Sequence, residues 1–147
     1  MSVSAKWYGN AFMKAFNKEI DFNSDAIYVS LHTSTYAPNQ DTHDYQNDLT
    51  NEVANGNGYA TNGKALGTPA IAYDADTNIF NLDSNDPAAW TGATFTARYA
   101  VIYDSTPGSA ATNPLIAYID FGADVTMIAG TFTLTLAAGG IAKVTVS

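Results

Sequence analysis

Three groups of residues in this 147-residue chain have side chains suited to chemistry: two histidines, an acidic run and one arginine. A zinc site would need His32 and His43 to converge with a carboxylate, and their spacing does not require this. The members of a Ser-His-Asp triad need no fixed spacing, but no serine lies in a nucleophile-elbow pattern. We therefore predict no catalytic residue, no metal ligand and no cofactor, and expect a protein that is not an enzyme.

The acidic run Asp74-Ala75-Asp76-Thr77-Asn78 begins like a calcium-binding loop. An EF-hand loop continues with glycine at its sixth position and glutamate at its twelfth, where this chain has Ile79 and Asn85. Strand patterns rather than helices flank the run, which favours a polar hairpin turn. A looser calcium site that includes Asp83 or Asp86 is the second hypothesis.

Arg98 is the only arginine, and it lies in the middle of a strand pattern where the residues should be at least half buried. A guanidinium at such a position needs a carboxylate partner or a polar rim. Asp104 and Asp120 are the predicted partners within the chain, and a contact across a subunit boundary is the alternative.

Composition and charge exclude several classes of protein. The net charge is −8, and the six basic residues are scattered, so we do not expect binding to nucleic acid. The absence of cysteine rules out disulfides and thiolate metal sites. The sequence has neither a basic stretch followed by an apolar core at its start nor an apolar run near ~18 residues, so we predict no secretory signal and no membrane span.

An amphipathic helix is predicted near the N-terminus, over about residues 5–20. Tyr8, Phe12 and Phe16 recur at intervals of four, which is the spacing of one helix face. Ser4 is a plausible N-cap, and the helix should end near residues 21–23, where poor helix formers gather. Packing of this stripe on its own domain is favoured, and a subunit contact is the alternative.

The rest of the chain has the alternation of β-strands. In residues 26–33, Ile27, Val29 and Leu31 share one face, which predicts a half-buried strand. The segment 34–68 is rich in turn formers and has room for one short helix within 44–53. Short strands separated by turns predict a single domain, 1–147, with an antiparallel β-sandwich, of which a jelly roll is one form. The further strands are predicted at 70–73, 78–82, 94–103, 115–121, 131–136 and 141–146.

Four sequence blocks carry a family resemblance. They are residues 12–22 (FMKAFNKEIDF), 25–41 (DAIYVSLHTSTYAPNQD), 97–104 (ARYAVIYD) and 114–122 (PLIAYIDFG). Together they resemble small structural proteins encoded in the virion gene clusters of tailed bacteriophages. The resemblance implies a non-enzymatic, head-fibre-like or capsid-associated protein of the virion, and it supplies no catalytic residues.

The resemblance implies a capsid cement or decoration protein, assembled in the bacterial host cytoplasm, that binds and stabilises the phage head shell. Its partners would be the major capsid protein or other virion proteins, and a homotrimer would fit the local threefold axes of the shell. A tail, neck or fibre component is one alternative, and a carbohydrate-binding β-sandwich module with exposed tyrosines is another. The working surface is predicted in the N-terminal helix and segment 34–68, with candidate interface residues Trp7, Phe12, Phe16, Tyr36, Tyr45 and Arg98.

Overall fold

A computed structural model describes residues 2–147 of the protein. Strands dominate this structure, as the alternating sequence predicts, and one short helix lies near the N-terminus. The elements in chain order are β1 (Ser4–Trp7), α1 (Asn10–Phe16), β2 (Ile27–His32), β3 (Lys64–Ala65), β4 (Gly67–Asp74), β5 (Ile79–Asn85), β6 (Trp90–Asp104), β7 (Leu115–Phe132) and β8 (Ala142–Thr145).

The strands form two antiparallel sheets. The larger sheet has the order β1-β7-β6-β2-β3, and the smaller has the order β4-β5-β8. The predicted mainly-β sandwich with one N-terminal helix is therefore confirmed. Within residues 2–147 the strands divide five to three between the sheets, and the jelly-roll form of the sandwich stays a prediction.

The long hairpin of β6 and β7 is the centre of the larger sheet. Its ladder runs from the pair Trp90↔Phe132 to the pair Tyr103↔Leu115, with several register shifts that bend the strands. A separate strand at 131–136 was the prediction, and it is wrong because β7 continues to Phe132 and the sheet ladder stops there. Beyond it, the Leu136 N–H donates to Asp86 Oδ1 at 2.7 Å instead of to a neighbouring strand.

Both faces of the larger sheet are covered around β2. From β2, Ile27, Val29 and Leu31 enter an apolar core that also contains Leu82 of the smaller sheet. The opposite face of β2, which includes buried His32, lies beneath the long segment 33–63. The predicted alternation of β2 is confirmed, but the strand is buried on both faces rather than half buried, because that segment folds back over it.

The N-terminal helix is shorter than predicted, since residues 4–7 pair with β7 as an edge strand. Ser4 lies opposite Asp120 in this ladder, so it does not cap the helix. The residue that precedes α1 is Gly9, which provides no side-chain cap. The helix ends at Phe16 rather than near residues 21–23, and Lys18 follows with a positive φ of 63°. A ladder with β7 thus replaces the first turns of the predicted helix.

The predicted helix within residues 44–53 is reduced to a 3₁₀ turn, Gln46–Asp48. Asp48 Oδ2 accepts the backbone N–H groups of Asp44 and Tyr45, at 2.8 and 3.2 Å. These bonds close the turn at its start, and Leu49 then continues in an extended conformation. A local carboxylate cap therefore favours one tight turn over a longer helix.

Candidate functional site

An apolar groove of about 450 Å³ opens between α1 and one face of the smaller sheet, and we call it the α1 groove. Its lining residues include no acidic or basic side chain. Apolar lining with aromatic walls is typical of sites that bind other molecules or protein segments. The lining comprises Trp7, Ala11, Phe12, Ala15, Phe16, Ile20, Phe22, Ile71, Tyr73, Phe80, Leu82, Ile116, Val144 and Val146.

The sheet wall of the α1 groove follows from strand register. Ile71 pairs with Leu82 and Tyr73 pairs with Phe80, so apolar side chains of β4 and β5 stand side by side on one face. Leu82 is buried in the core, whereas the Tyr73 side chain is 54% exposed. The smaller sheet therefore packs against the larger sheet near Leu82. Toward Tyr73, the apolar side chains on the same face of the smaller sheet become exposed to solvent.

The helix wall carries the most exposed aromatic side chain of the groove. Ala11 is buried against the body and Ala15 leaves space beside it, because each has a single methyl group. Phe12 packs on Trp7 with ring centroids 5.0 Å apart, while Phe16 at the end of α1 is 88% exposed. The predicted stripe is thus split between two environments. Tyr8 is buried before the helix starts, whereas most of the Phe16 side chain is exposed to solvent.

The polar side of α1 is fixed to the segment that covers the larger sheet. Lys14 Nζ lies 3.3 Å from Glu19 Oε2 and 3.7 Å from Asp44 Oδ2, and it hydrogen-bonds to the Tyr45 hydroxyl. The Tyr45 hydroxyl in turn donates to Glu19 Oε2 at 2.9 Å. Tyr45, a candidate interface residue, therefore anchors α1 within the chain and holds the groove wall in place.

A hydrogen-bonded chain of aromatic side chains lies between the larger sheet and segment 33–63. The hydroxyl oxygens of Tyr8 and Tyr36 are 2.8 Å apart, and the Tyr36 hydroxyl lies 3.0 Å from His43 Nδ1. Burial raises the pKa of Tyr36 to about 12, so its hydroxyl stays protonated. Tyr36 was a candidate interface residue, but it is buried inside the chain and presents no surface to a partner.

The two histidines have structural surroundings. His32 is buried, with Nε2 2.9 Å from Ser30 Oγ and Nδ1 2.8 Å from the Thr50 carbonyl oxygen. Burial lowers the pKa of His32 to about 4, so the ring is neutral near pH 7. The His43 ring is partly buried and stacks on Tyr36, with ring centroids 5.7 Å apart. In residues 2–147, no three His, Asp or Glu side chains lie close enough together to hold a metal ion.

The predicted partner of Arg98 is present. Arg98 Nε donates to Asp120 Oδ1 at 2.6 Å and Nη2 donates to Asp120 Oδ2 at 3.2 Å, which is a bidentate pair. The hydrogen bonds from the guanidinium lower the pKa of Asp120. Asp104, the other predicted partner, lies at the far end of β6 and is buried. Arg98 is therefore outside the α1 groove and engaged within its own chain.

The acidic run forms the predicted hairpin turn between β4 and β5. Asp74 Oδ1 accepts the backbone N–H groups of Asp76 and Thr77, at 3.0 and 3.4 Å. The pKa of Asp74 is lowered most by a hydrogen bond from the Thr77 side chain. The two backbone hydrogen bonds lower it further. The first carboxylate of the calcium-like run thus stabilises a tight turn.

A second apolar opening, of about 610 Å³, lies among β1, β7 and residues 133–137. Half of its apolar lining residues belong to the buried core, namely Ile119, Phe132, Leu134, Leu136 and Ile141. Val3 is its only large apolar side chain that is exposed among the residues described. The α1 groove is the stronger candidate site because it presents several exposed apolar side chains, three of them aromatic.

Comparisons of the chain with protein-family models, with curated proteins and with solved structures found no match. Within residues 2–147, no helix has the length and hydropathy needed to cross a membrane. The interpretation of the site therefore rests on its geometry and on the sequence itself.

Of the candidate interface residues, Trp7, Phe12 and Phe16 come together in the α1 groove. The sheet wall was missed, although its signal is in the sequence. Ile71 and Tyr73 alternate with small or polar residues, and Phe80 and Leu82 do the same across the hairpin turn. Two amphipathic strands that pair as a hairpin predict one apolar face, and only the position of α1 decides how much of it stays uncovered.

Proposed function

We propose that this chain is a non-enzymatic structural protein of a tailed-phage virion, a capsid cement or decoration protein that contacts the head shell through the α1 groove. The observation that carries the proposal is the exposed apolar face formed by Phe16 on the helix and Tyr73 on the sheet. Contiguous exposed apolar surface of this kind marks protein contacts in soluble proteins. The sequence blocks that resemble phage virion proteins supply the class of particle.

The energetics of the face agree with a docking role. Full burial of one phenylalanine side chain is worth about 1.5–3 kcal/mol, and Phe16 leaves most of that free energy unused in the isolated chain. Because Lys14 is held by Glu19 and Asp44, the helix wall needs little ordering when a partner binds. A partner thus gains apolar burial against a surface that is already shaped.

The expected partner is the major capsid protein, with a homotrimer of this chain around the local threefold axes of the shell. The net charge of −8 favours solubility before assembly. Since the groove lining carries no charged side chain, the contact should depend on apolar burial and respond weakly to salt.

The low exposure of the tyrosines favours the cement or decoration proposal over a sugar-binding module. All nine tyrosines fall in the described part of the chain, and among them Tyr73 alone is exposed. A sugar platform uses aromatic rings that are open to solvent, whereas most of these rings lie in the interior. A tail, neck or fibre component would use the same groove and differs only in the partner.

Cosedimentation with head shells assembled without this protein tests the proposal. Phe16→Ser and Tyr73→Ser should each weaken binding about tenfold or more, because each removes an aromatic side chain from the contact. Ile128→Ser is the matched control, since Ile128 is 81% exposed and lies outside the groove. Wild-type protein that stays unbound to shells but binds tails would assign the tail alternative. Equal binding by all variants would overturn the proposed surface.

A further inference from the structure

Asp25 and Asp104 bring two carboxyl groups together at the end of β6. Asp104 is fully buried, and its Oδ1 accepts the backbone N–H of Thr106 at 2.8 Å. Asp104 Oδ2 has no hydrogen-bond partner of the usual donor types in the described part of the chain. The Asp25 carboxyl lies within hydrogen-bonding reach of Asp104, and its Oδ2 accepts the N–H of Asp21 at 2.6 Å. A buried acid with one unpartnered oxygen therefore lies beside a second acid.

Within residues 2–147, neither carboxyl group of this pair forms an ion pair with a basic side chain. The ion pairs found within residues 2–147 involve Lys14 and Arg98, and neither contacts Asp25 or Asp104. The neighbouring elements present uncharged groups to Asp104, namely Thr106, Ile27 across the β2 ladder and the carbonyl before β7. Asp25 is a charged neighbour that raises the pKa of Asp104. Two adjacent carboxylates repel each other, so one of them favours its protonated form.

We propose that Asp25 and Asp104 share one proton, and that this proton is a pH-responsive latch for the turn at residues 21–26. The shared proton supplies the donor that Asp104 Oδ2 lacks. It fastens the turn to the end of β6, where the Ala26 N–H also donates to Thr106 Oγ1 at 2.8 Å. When the proton leaves, two negative charges face each other at a buried position and the turn loosens.

The turn connects the two sheets with the α1 groove. Phe22 lies in the apolar core and lines the groove, and Asn23 Oδ1 accepts the N–H of Ile71 on β4 at 3.0 Å. A looser turn would therefore weaken the tie between the smaller sheet and the body. The latch itself does not depend on the proposed docking function, because it concerns only the folded chain.

The pH window follows from the direction of the shift. Burial raises the pKa of Asp104 from 3.8 to about 6, and the neighbouring Asp25 adds to this effect. The folded protein thus holds the proton more tightly than the unfolded chain does. The stability that the pair contributes is complete at pH values below the unfolded pKa and is lost as the pH rises through about 6. His32, with a pKa lowered to about 4, has the opposite dependence, since its contribution is lost as the pH falls.

Unfolding equilibria measured between about pH 4.5 and about pH 8 test the latch. Asp104→Asn keeps the shape of the side chain and the acceptor for Thr106, and it offers an N–H donor toward Asp25 at every pH. We expect wild type and Asp104→Asn to be close in stability at the acid end. At the neutral end, the equilibrium constant for unfolding should be about ten- to a hundredfold larger for wild type than for Asp104→Asn. Both proteins keep His32, so its effect cancels in the comparison.

Two further measurements complete the test. If Asp104→Asn does not fold, Asp25→Asn serves in its place. It should flatten the pH dependence in part, because it removes the neighbouring charge while Asp104 stays buried. Asp76→Asn, in an exposed turn, is the control and should follow wild type at every pH. Backbone amides of residues 22–26, corrected for intrinsic exchange rates, should exchange faster in wild type at neutral pH than in Asp104→Asn.

The opposing outcomes are distinct. Parallel pH profiles for wild type and both carboxyl variants would show that no proton is shared, and the latch would be abandoned. Millimolar calcium chloride that stabilises wild type at neutral pH, but not Asp104→Asn, would show that the pair holds a cation instead, which also overturns the proposal. Neither result bears on shell binding, so failure of the latch and failure of the docking proposal are separable.

Discussion

The two faces of the larger sheet are covered in different ways. On one face, Val29, Leu31 and Ile102 meet the smaller sheet in an apolar core. On the other face, Tyr8 lies beneath segment 33–63 and is joined to Tyr36 of that segment through their hydroxyl groups. The first contact is apolar and tolerates many side chains of the right size. The second depends on hydrogen-bond partners at particular positions.

The two faces therefore have different roles: the apolar face mainly stabilises the fold, and the hydroxyl-linked face mainly fixes the conformation of segment 33–63. Apolar burial between the sheets supplies most of the folding free energy, because it removes large side chains from water without polar cost. The hydroxyl chain adds less free energy, but it holds a long segment of few regular elements in one conformation. Tyr45 of that segment hydrogen-bonds to Lys14 of α1. The face held by hydrogen bonds therefore also supports the helix wall of the α1 groove.

The largest expected effect is on the apolar face. Ile102→Ala removes buried methyl and methylene groups from a fully buried position, and it should lower the free energy of unfolding by about 2–5 kcal/mol. Ile102→Val, the graded control, should cost about 0.5–1.5 kcal/mol. Urea denaturation with a constant slope would measure both values. A cost for Ile102→Ala below that expected for the valine variant would mean that this face does not dominate stability.

A smaller effect is expected on the hydroxyl-linked face. Tyr36→Phe removes the hydroxyl that joins Tyr8 to His43, and it should cost about 1–2 kcal/mol because both neighbours lose a partner. Tyr28→Phe is the matched control, since within residues 2–147 no hydrogen bond of the Tyr28 hydroxyl is found. Amide exchange in segment 33–63 should rise in Tyr36→Phe and not in the control. Equal behaviour of the two variants would remove the distinction between the faces.

Local patterns in the sequence were sufficient for the strands that have strong alternation. Ile27, Val29 and Leu31 predicted the inner face of β2, and the acidic run at Asp74 predicted the turn between β4 and β5. In each case the decisive interactions are close in sequence or follow from a period of two. The pairing of Arg98 with Asp120 was also anticipated, because a charge in mid-strand requires a partner.

The missed features depend on distant partners. Ser4–Trp7 forms β1 because the edge of β7 is available, and no local signal in those residues reports this. Tyr8, Phe12 and Phe16 have helical spacing, yet the chain places the first before the helix, inside the tyrosine layer. The α1 groove required the position of a second sheet relative to a short helix. Tertiary context therefore overrode local propensity at the site that the proposed function uses.

The smallest expected effect concerns a position that belongs to neither face. Arg98 lies where the pairing of β6 with β7 shifts register, between Ala97 and Tyr99, and its ion pair with Asp120 is partly exposed. Arg98→Met should therefore leave the free energy of unfolding nearly unchanged, because solvent screens the pair and the methionine keeps the apolar stem. It should also leave shell binding unchanged, because the side chain is engaged within its own chain. Urea denaturation and cosedimentation measure the two expectations separately. A variant that folds normally but loses shell binding would place Arg98 at a subunit boundary, and the working surface would then extend beyond the α1 groove to the bend in the long hairpin.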